Sequence, residues 1–252
     1  MTPWVRTLIT ANVLMFFLTS SSPALFEELA LVPTVVFMRP WTLVTYMFLH
    51  AGFAHIFWNM FSLFFFGPRV EARLGGGNFI RLYLFSGLVG AVASAVVMPG
   101  AAVVGASGAI FGVTLAYARY WPRDTILLWG ILPIPARGLV IGLAIMNVWQ
   151  GFGVSLGGGG IANFAHLGGF LGGWLYLVWW EQSSPAARFK SKATAPMRGG
   201  GITDIVRWSQ ISADGLHPVN REELLRLQKR IADGEASQLT PDEKAFLNRL
   251  SP

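Results

Sequence analysis

Gly105-Ala106-Ser107-Gly108-Ala109-Ile110-Phe111-Gly112 sets a serine among small residues at the head of an apolar segment. Two other stretches answer to it. One is His50-Ala51-Gly52-Phe53-Ala54-His55-Ile56-Phe57-Trp58-Asn59. The other is Ala165-His166-Leu167-Gly168-Gly169-Phe170-Leu171-Gly172-Gly173. Gly108 and Gly112 are four apart, and so are Gly169 and Gly173 below His166. Small residues at that period let two helix backbones approach closely. Close approach is what a short serine needs to reach an imidazole on another helix. His55 and Asn59 share a helix face for the same reason of spacing. Their N–H groups, with backbone N–H groups beside Ser107, have the donor chemistry to hold a developing oxyanion.

The 252 residues are 53% hydrophobic and 13% charged, with a mean hydropathy of +0.51. Soluble domains carry about 25% charge. Apolar runs recur, each near the ~20 residues of a bilayer crossing. The composition therefore predicts an all-α membrane protein, a polytopic bundle of six transmembrane helices with a short helical tail. The absence of cysteine excludes disulfides and thiol nucleophiles.

The expected spans are residues 4–19, 41–66, 79–98, 104–120, 138–154 and 161–180. The first has the basic start and short core of a signal peptide, but Thr10 and Asn12 interrupt it and five spans follow, so it is kept as a span. Residues 21–40 read as a long loop in the membrane interface. Gly67-Pro68 closes the second span, with Arg69, Glu71 and Arg73 in a charged loop. Residues 126–137 read as an interfacial loop, and Gly157–Gly160 as a flexible turn. The domains are thus 1–182 (membrane), 183–201 (polar linker) and 202–252 (tail). Two tail helices are expected. One runs from Asn220 to Gly234. The other opens at Thr240-Pro241-Asp242-Glu243, the pattern of a capping box with proline at the first helical position.

Of the nineteen Lys and Arg residues, only Arg39 falls on the outer side if the chain starts inside. The positive-inside rule then puts both ends in the cytoplasm. The high pI of about 10.1 follows from topology and tail, not from a nucleic-acid surface.

Ionisable groups within a membrane are costly and usually functional. No lysine precedes Lys190, and no Asp or Glu is expected well inside a span. That leaves His50, His55 and His166, near Asn59, Ser107, Asn147 and Asn163. A pair of aspartates, a His-Glu-x-x-His zinc helix and a Ser–Lys dyad are all missing. A serine activated by histidine remains. His50 is read as structural, holding the mouth of the second span by hydrogen bonds, and His217 as a surface residue.

At these residues the chain resembles the rhomboid family of intramembrane serine proteases, over roughly residues 4–180. Arg39-Pro40-Trp41, His50 with His55 and Asn59, Gly105-x-Ser107-Gly108, and Ala165-His166 with Gly169 and Gly173 carry the resemblance. It implies Ser107 as nucleophile and His166 as general base. His55, Asn59 and the Ser107 backbone N–H would form the oxyanion hole, with Gly105, Phe111 and His50 in support. It implies a six-helix bundle with a water-filled cavity, the first loop half-submerged and the fifth span as lateral gate. The implied substrates are single-span membrane proteins, met in the lipid; no cofactor, metal or nucleic acid is called for. Many members have a tyrosine where Phe111 stands; phenylalanine can stack on the histidine but cannot hydrogen-bond. The tail lies outside the resemblance. The alternatives are a catalytically inactive relative that binds membrane clients, and a small transporter with the three histidines along its path. A multi-pass protein of a prokaryotic cytoplasmic membrane is the expected setting.

Overall fold

The computed structural model describes residues 1–128, 130–152, 160–183 and 201–251, without the side chains of 152, 160–162 and 202. Two compact units are present, Met1–Ser184 and Pro185–Pro252. The first is built from α1 (Pro3–Ser20), α2 (Pro23–Leu29), α3 (Thr42–Thr45), α4 (Phe53–Leu74), α5 (Gly76–Val97), α6 (Ser107–Tyr120), a hairpin of β1 (Thr125–Leu128) and β2 (Leu132–Pro135), α7 (Ala136–Phe152) and α8 (Gly160–Ser183).

Missing Cβ atoms decide how the long helices meet. A Cβ added to Gly90 on α5 would stand 2.7 Å from the Ala165 carbonyl oxygen. One on Gly168 would stand 2.8 Å from the Gly90 Cα, and one on Gly173 2.7 Å from the Gly112 Cα. One on Gly169 would overlap the Gly108 carbonyl. So α5, α6 and α8 pack backbone against backbone, the close crossing that small residues permit. Helix α6 touches α4, α5, α7 and α8 and is buried around nearly its whole circumference, including Ala109, Ile110, Val113 and Ala116. A helix enclosed on every side needs apolar residues on every side, and its sequence supplies them.

The second expected span is corrected at both ends. Its first part is α3 and a 3₁₀ turn at Tyr46–Phe48, bent by 94° from α4. At the far end α4 does not stop at Gly67-Pro68 but runs through Pro68 to Leu74. Proline costs the helix one hydrogen bond, yet Val70, Glu71 and Leu74 beyond it are buried. Glu71 is therefore not in a loop. It accepts from the backbone N–H groups of Trp4 and Val5, both at 3.0 Å, and from the Thr2 hydroxyl. These are the free donors that any helix N-terminus carries, so a carboxylate from α4 caps α1. Arg69 pairs with Asp124 and lies 4.2 Å over the Trp121 ring, while Arg119 pairs with Glu181.

The segment 126–137 is not a plain loop. Strands β1 and β2 pair antiparallel with Ile126 opposite Ile134. Residues 21–40 contain α2 and are held by a bridge between Leu31 and Val103. The Gly157–Gly160 turn and the linker at 183–201 fall, but for their edges, outside the described residues. Among the described residues, α5 alone is long and apolar enough to cross a membrane by itself, with mean hydropathy 1.8; α3 with its 3₁₀ turn reaches that threshold together with α4. Helix α6 has 14 residues, short of the ~20 for a full crossing. Helix length and apolarity alone thus do not give six crossings.

Among its described residues the second unit contains three helices rather than two: α9 (Ile202–Ser209), α10 (Pro218–Ala232) and α11 (Pro241–Leu250). Helix α10 starts two residues earlier than expected, with proline in its first turn. Helix α9 contributes the fully buried Trp208, which packs with Leu224, Leu227 and Leu247. The capping box at Thr240 is formed, with Thr240 N donating to Glu243 at 2.8 Å and Glu243 N donating to Thr240 Oγ1 at 3.2 Å.

Gly173→Ala should destabilise the helical unit by about 1–3 kcal/mol, the usual cost of overpacking, read as a lower unfolding midpoint in detergent; an unchanged midpoint would mean that α6 and α8 separate freely. The backbone N–H of Thr240 and the Arg226 and Arg230 side chains hold the Glu243 carboxyl down from 4.5 to about 2. A lowered folded value stabilises above the unfolded value and is lost as pH falls through the folded one. Amide protection of α11 should therefore weaken between about pH 4.5 and pH 2, and Glu243→Gln should remove that component in hydrogen-exchange mass spectrometry.

Candidate active site

The strand-like run before α6 is pinned at three points. Thr34 N donates to the Pro99 carbonyl at 3.2 Å, Val103 N to Leu31 at 2.8 Å and Gly105 N to Tyr46 at 2.9 Å. Gly105 has φ +120°, a region that L side chains rarely adopt. A Cβ there would also stand 2.6 Å from His55 Nε2. Glycine is thus required twice, by the turn and by the imidazole seated against it. The turn delivers Ser107 as the first residue of α6. At that place its backbone N–H has no partner within the helix and lies at the positive end of the helix dipole.

His166 comes in from α8, where the glycine crossing has removed the distance between backbones. Its Nε2 lies 2.8 Å from Ser107 Oγ. Its Nδ1 lies 2.8 Å from Asn147 Oδ1 on α7. The Phe111 ring stacks on the imidazole with centroids 4.2 Å apart and planes 9° off parallel, and Phe170 leans on Phe111 at 4.8 Å.

His55 enters from the first turns of α4. The Ala51 N–H donates to His55 Nδ1 at 3.4 Å, which leaves Nε2 as the protonated nitrogen of the neutral ring, facing Gly105. Asn59, one turn on, donates Nδ2 to the His55 carbonyl at 2.9 Å. Both line the cavity that holds Ser107, Phe111 and His166, about 470 Å³ in volume. A larger groove of about 770 Å³ between α3, α5 and α8 is lined by Leu43, Leu84, Leu88 and other apolar side chains, and contains no nucleophile beside a base.

The structure thus brings together Ser107, His166, His55, Asn59, Gly105 and Phe111. His50 is buried but is not held as expected. Its ring packs edge-on against His55 with centroids 4.9 Å apart. Neither of its nitrogens has a hydrogen-bond partner of good geometry among the described residues. Asn147 carried no assigned role in the sequence. The signal was there in an amide within an apolar segment, but its partner lies nineteen residues away and no spacing rule connects them. Among the described residues, no three His, Asp or Glu side chains are grouped to hold a metal ion.

A family model described as the rhomboid domain matches residues 38–181. The chain is 38% identical over 136 residues to RHOMBOID-like protein 2 of Arabidopsis thaliana, covering 53% of this chain and 40% of that protein. It is 38% identical over 135 residues to rhomboid protease GluP of Bacillus subtilis, covering 53% of this chain and 24% of that one. Over 78 residues it is 45% identical to the putative rhomboid protease YdcA of the same bacterium, covering 31% and 39% of the two chains. The matched stretch spans well under half the length of each of these curated relatives.

Gly105→Ala should cost roughly 1–3 kcal/mol from backbone strain alone, seen as a lower melting midpoint of detergent-purified protein. A variant melting with the wild type would mean that the turn relaxes around a Cβ without cost.

Proposed function

This chain belongs to the rhomboid family, and on that premise we propose that it is an intramembrane serine protease that cuts single-span membrane proteins in or near the bilayer. One observation carries the reading: Ser107 Oγ and His166 Nε2 stand 2.8 Å apart inside a cavity whose other wall presents N–H donors. A serine hydroxyl becomes a competent nucleophile when a base within hydrogen-bond reach takes its proton.

In the proposed reaction Ser107 Oγ attacks the scissile carbonyl while its proton passes to His166 Nε2. The charge gathering on the carbonyl oxygen meets the Ser107 N–H, the His55 Nε2–H and the free N–H of the Asn59 amide, each fixed before the reaction begins. When the tetrahedral intermediate collapses, the C–N bond breaks and His166 gives its proton to the leaving amine. Water then repeats the attack with His166 as base, releasing the acid and regenerating the serine. Phe111 keeps the plane of the imidazole without using any of its hydrogen bonds. No cofactor enters these steps.

The proposal includes six crossings, by α1, α4 (with the bent segment before it), α5, α6, α7 and α8, with both termini in the cytoplasm. Burial of nearly every face of α6 supports a short central crossing sheltered from lipid. Arg69 and Arg73 near the end of α4, and Arg119 and Arg123 at and after the end of α6, support the orientation. The serine then opens to the outer side, and residues 202–252 form a cytoplasmic appendage joined by the 183–201 linker.

Fluorophosphonate labelling of the detergent-purified full chain tests the reading. Wild type should take the label, and Ser107→Ala and His166→Ala should lose it and lose cleavage of a single-span substrate by at least ~100-fold, the lower bound for removing a general base. Undiminished labelling of Ser107→Ala would reject this serine. A folded wild type that neither labels nor cleaves would instead identify an inactive client-binding relative.

A further inference from the structure

We propose that Asn147 is a positioning residue that completes a Ser107–His166–Asn147 triad, an inference that rests on the roles of Ser107 and His166 given above. Asn147 is 1% exposed on an otherwise apolar stretch of α7. A buried amide without partners is costly, and both ends of this one are engaged. Nδ2 donates to the Leu143 carbonyl one turn back at 2.7 Å. Oδ1 faces His166 Nδ1 at 2.8 Å.

The first of these bonds fixes the meaning of the second. A carbonyl oxygen only accepts, so the atom turned to Leu143 is the amide nitrogen, and the atom turned to His166 is the amide oxygen. An amide oxygen also only accepts, so His166 Nδ1 carries the hydrogen. A neutral imidazole has one N–H. Nε2 is then left with its lone pair aimed at Ser107 Oγ at 2.8 Å, the tautomer that can take the serine's proton. Without the acceptor, the ring is free to carry its hydrogen on Nε2 and donate to the serine, which is the wrong direction for a base.

Geometry assigns a second task. The Phe111 stack, 9° from parallel, fixes the plane of the ring but leaves it free to turn within that plane. Hydrogen bonds at both ring nitrogens stop that turning. As the imidazolium forms, the Nδ1–H bond to Asn147 becomes charge-assisted and stronger, and a neutral amide does this without a second buried charge. Nucleophile, base and positioning residue come from α6, α8 and α7, so a displacement of α7 away from α8 would withdraw the acceptor from the base.

The test uses full-length protein in detergent and compares wild type, Asn147→Leu, which keeps the volume but has no acceptor, and Asn147→Asp, which keeps an oxygen toward Nδ1. The expected result for Asn147→Leu is a kcat about 10- to 100-fold lower, the size of one lost hydrogen bond to a charged group. KM and the unfolding midpoint should change little, and Asn147→Asp should recover part of kcat. Nitrogen-15 NMR of histidine-labelled wild type at mildly alkaline pH, with His166→Ala to assign the signals, should find His166 as the Nδ1–H tautomer. A wild-type kcat in Asn147→Leu would overturn the proposal, and so would an Nε2–H tautomer in wild type, which decides the matter even if Asn147→Leu fails to fold. These outcomes leave the protease reading standing. A wild type that neither labels nor cleaves would remove that reading and the triad with it.

Discussion

The backbones of α6 and α8 touch, and the reactive geometry depends on that touch. Serine has one carbon between its backbone and its oxygen, so its reach is short. A single methyl at Gly169 would overlap the Gly108 carbonyl and push apart the two helices that hold Ser107 and His166. The 2.8 Å contact between those side chains would open by a comparable amount, and proton transfer falls away once the groups leave hydrogen-bond range. The same crossing engages α5 through Gly90 and Gly168. Three helices are locked by one arrangement of missing side chains.

Elsewhere in the helical unit, polar side chains satisfy themselves locally. Asn12, Asn59, Asn78 and Asn147 each return an amide hydrogen to the carbonyl four residues back. Thr114 does the same with its hydroxyl. Each bond neutralises part of a polar side chain against the backbone nearby, so little is left to drive non-specific pairing in an apolar interior. In two of them the remaining oxygen is directed: that of Asn78 accepts from Tyr176 and that of Asn147 faces His166.

Much of this was legible in the sequence because it is periodic or local. The glycine spacing around Ser107 and His166 marked the crossing, the His55–Asn59 face is a matter of helical turns, and the capping box at Thr240 is written in four residues. The misses have physical causes. Gly67-Pro68 reads as a stop, but burial of Val70 and Leu74 carries α4 past it, tertiary packing outweighing one lost hydrogen bond. Glu71 reads as a loop charge because its partners, the first N–H groups of α1, lie more than sixty residues away. Helix α9 is only eight residues long, too short for a periodicity to stand out, and its Trp208 matters only through Leu224 and Leu247. The hairpin of β1 and β2 carries two prolines, Pro133 and Pro135, which mask a strand pattern.

Glu71 also sets an order of events during synthesis. The first helix exposes uncompensated donors at its start, and the carboxylate that answers them is encoded well into the fourth helix. A growing chain therefore carries α1 with an open end while some seventy residues emerge. The end closes only when α4 has turned back alongside it, with Val5 seated against Gly67. Docking of α1 therefore waits on α4.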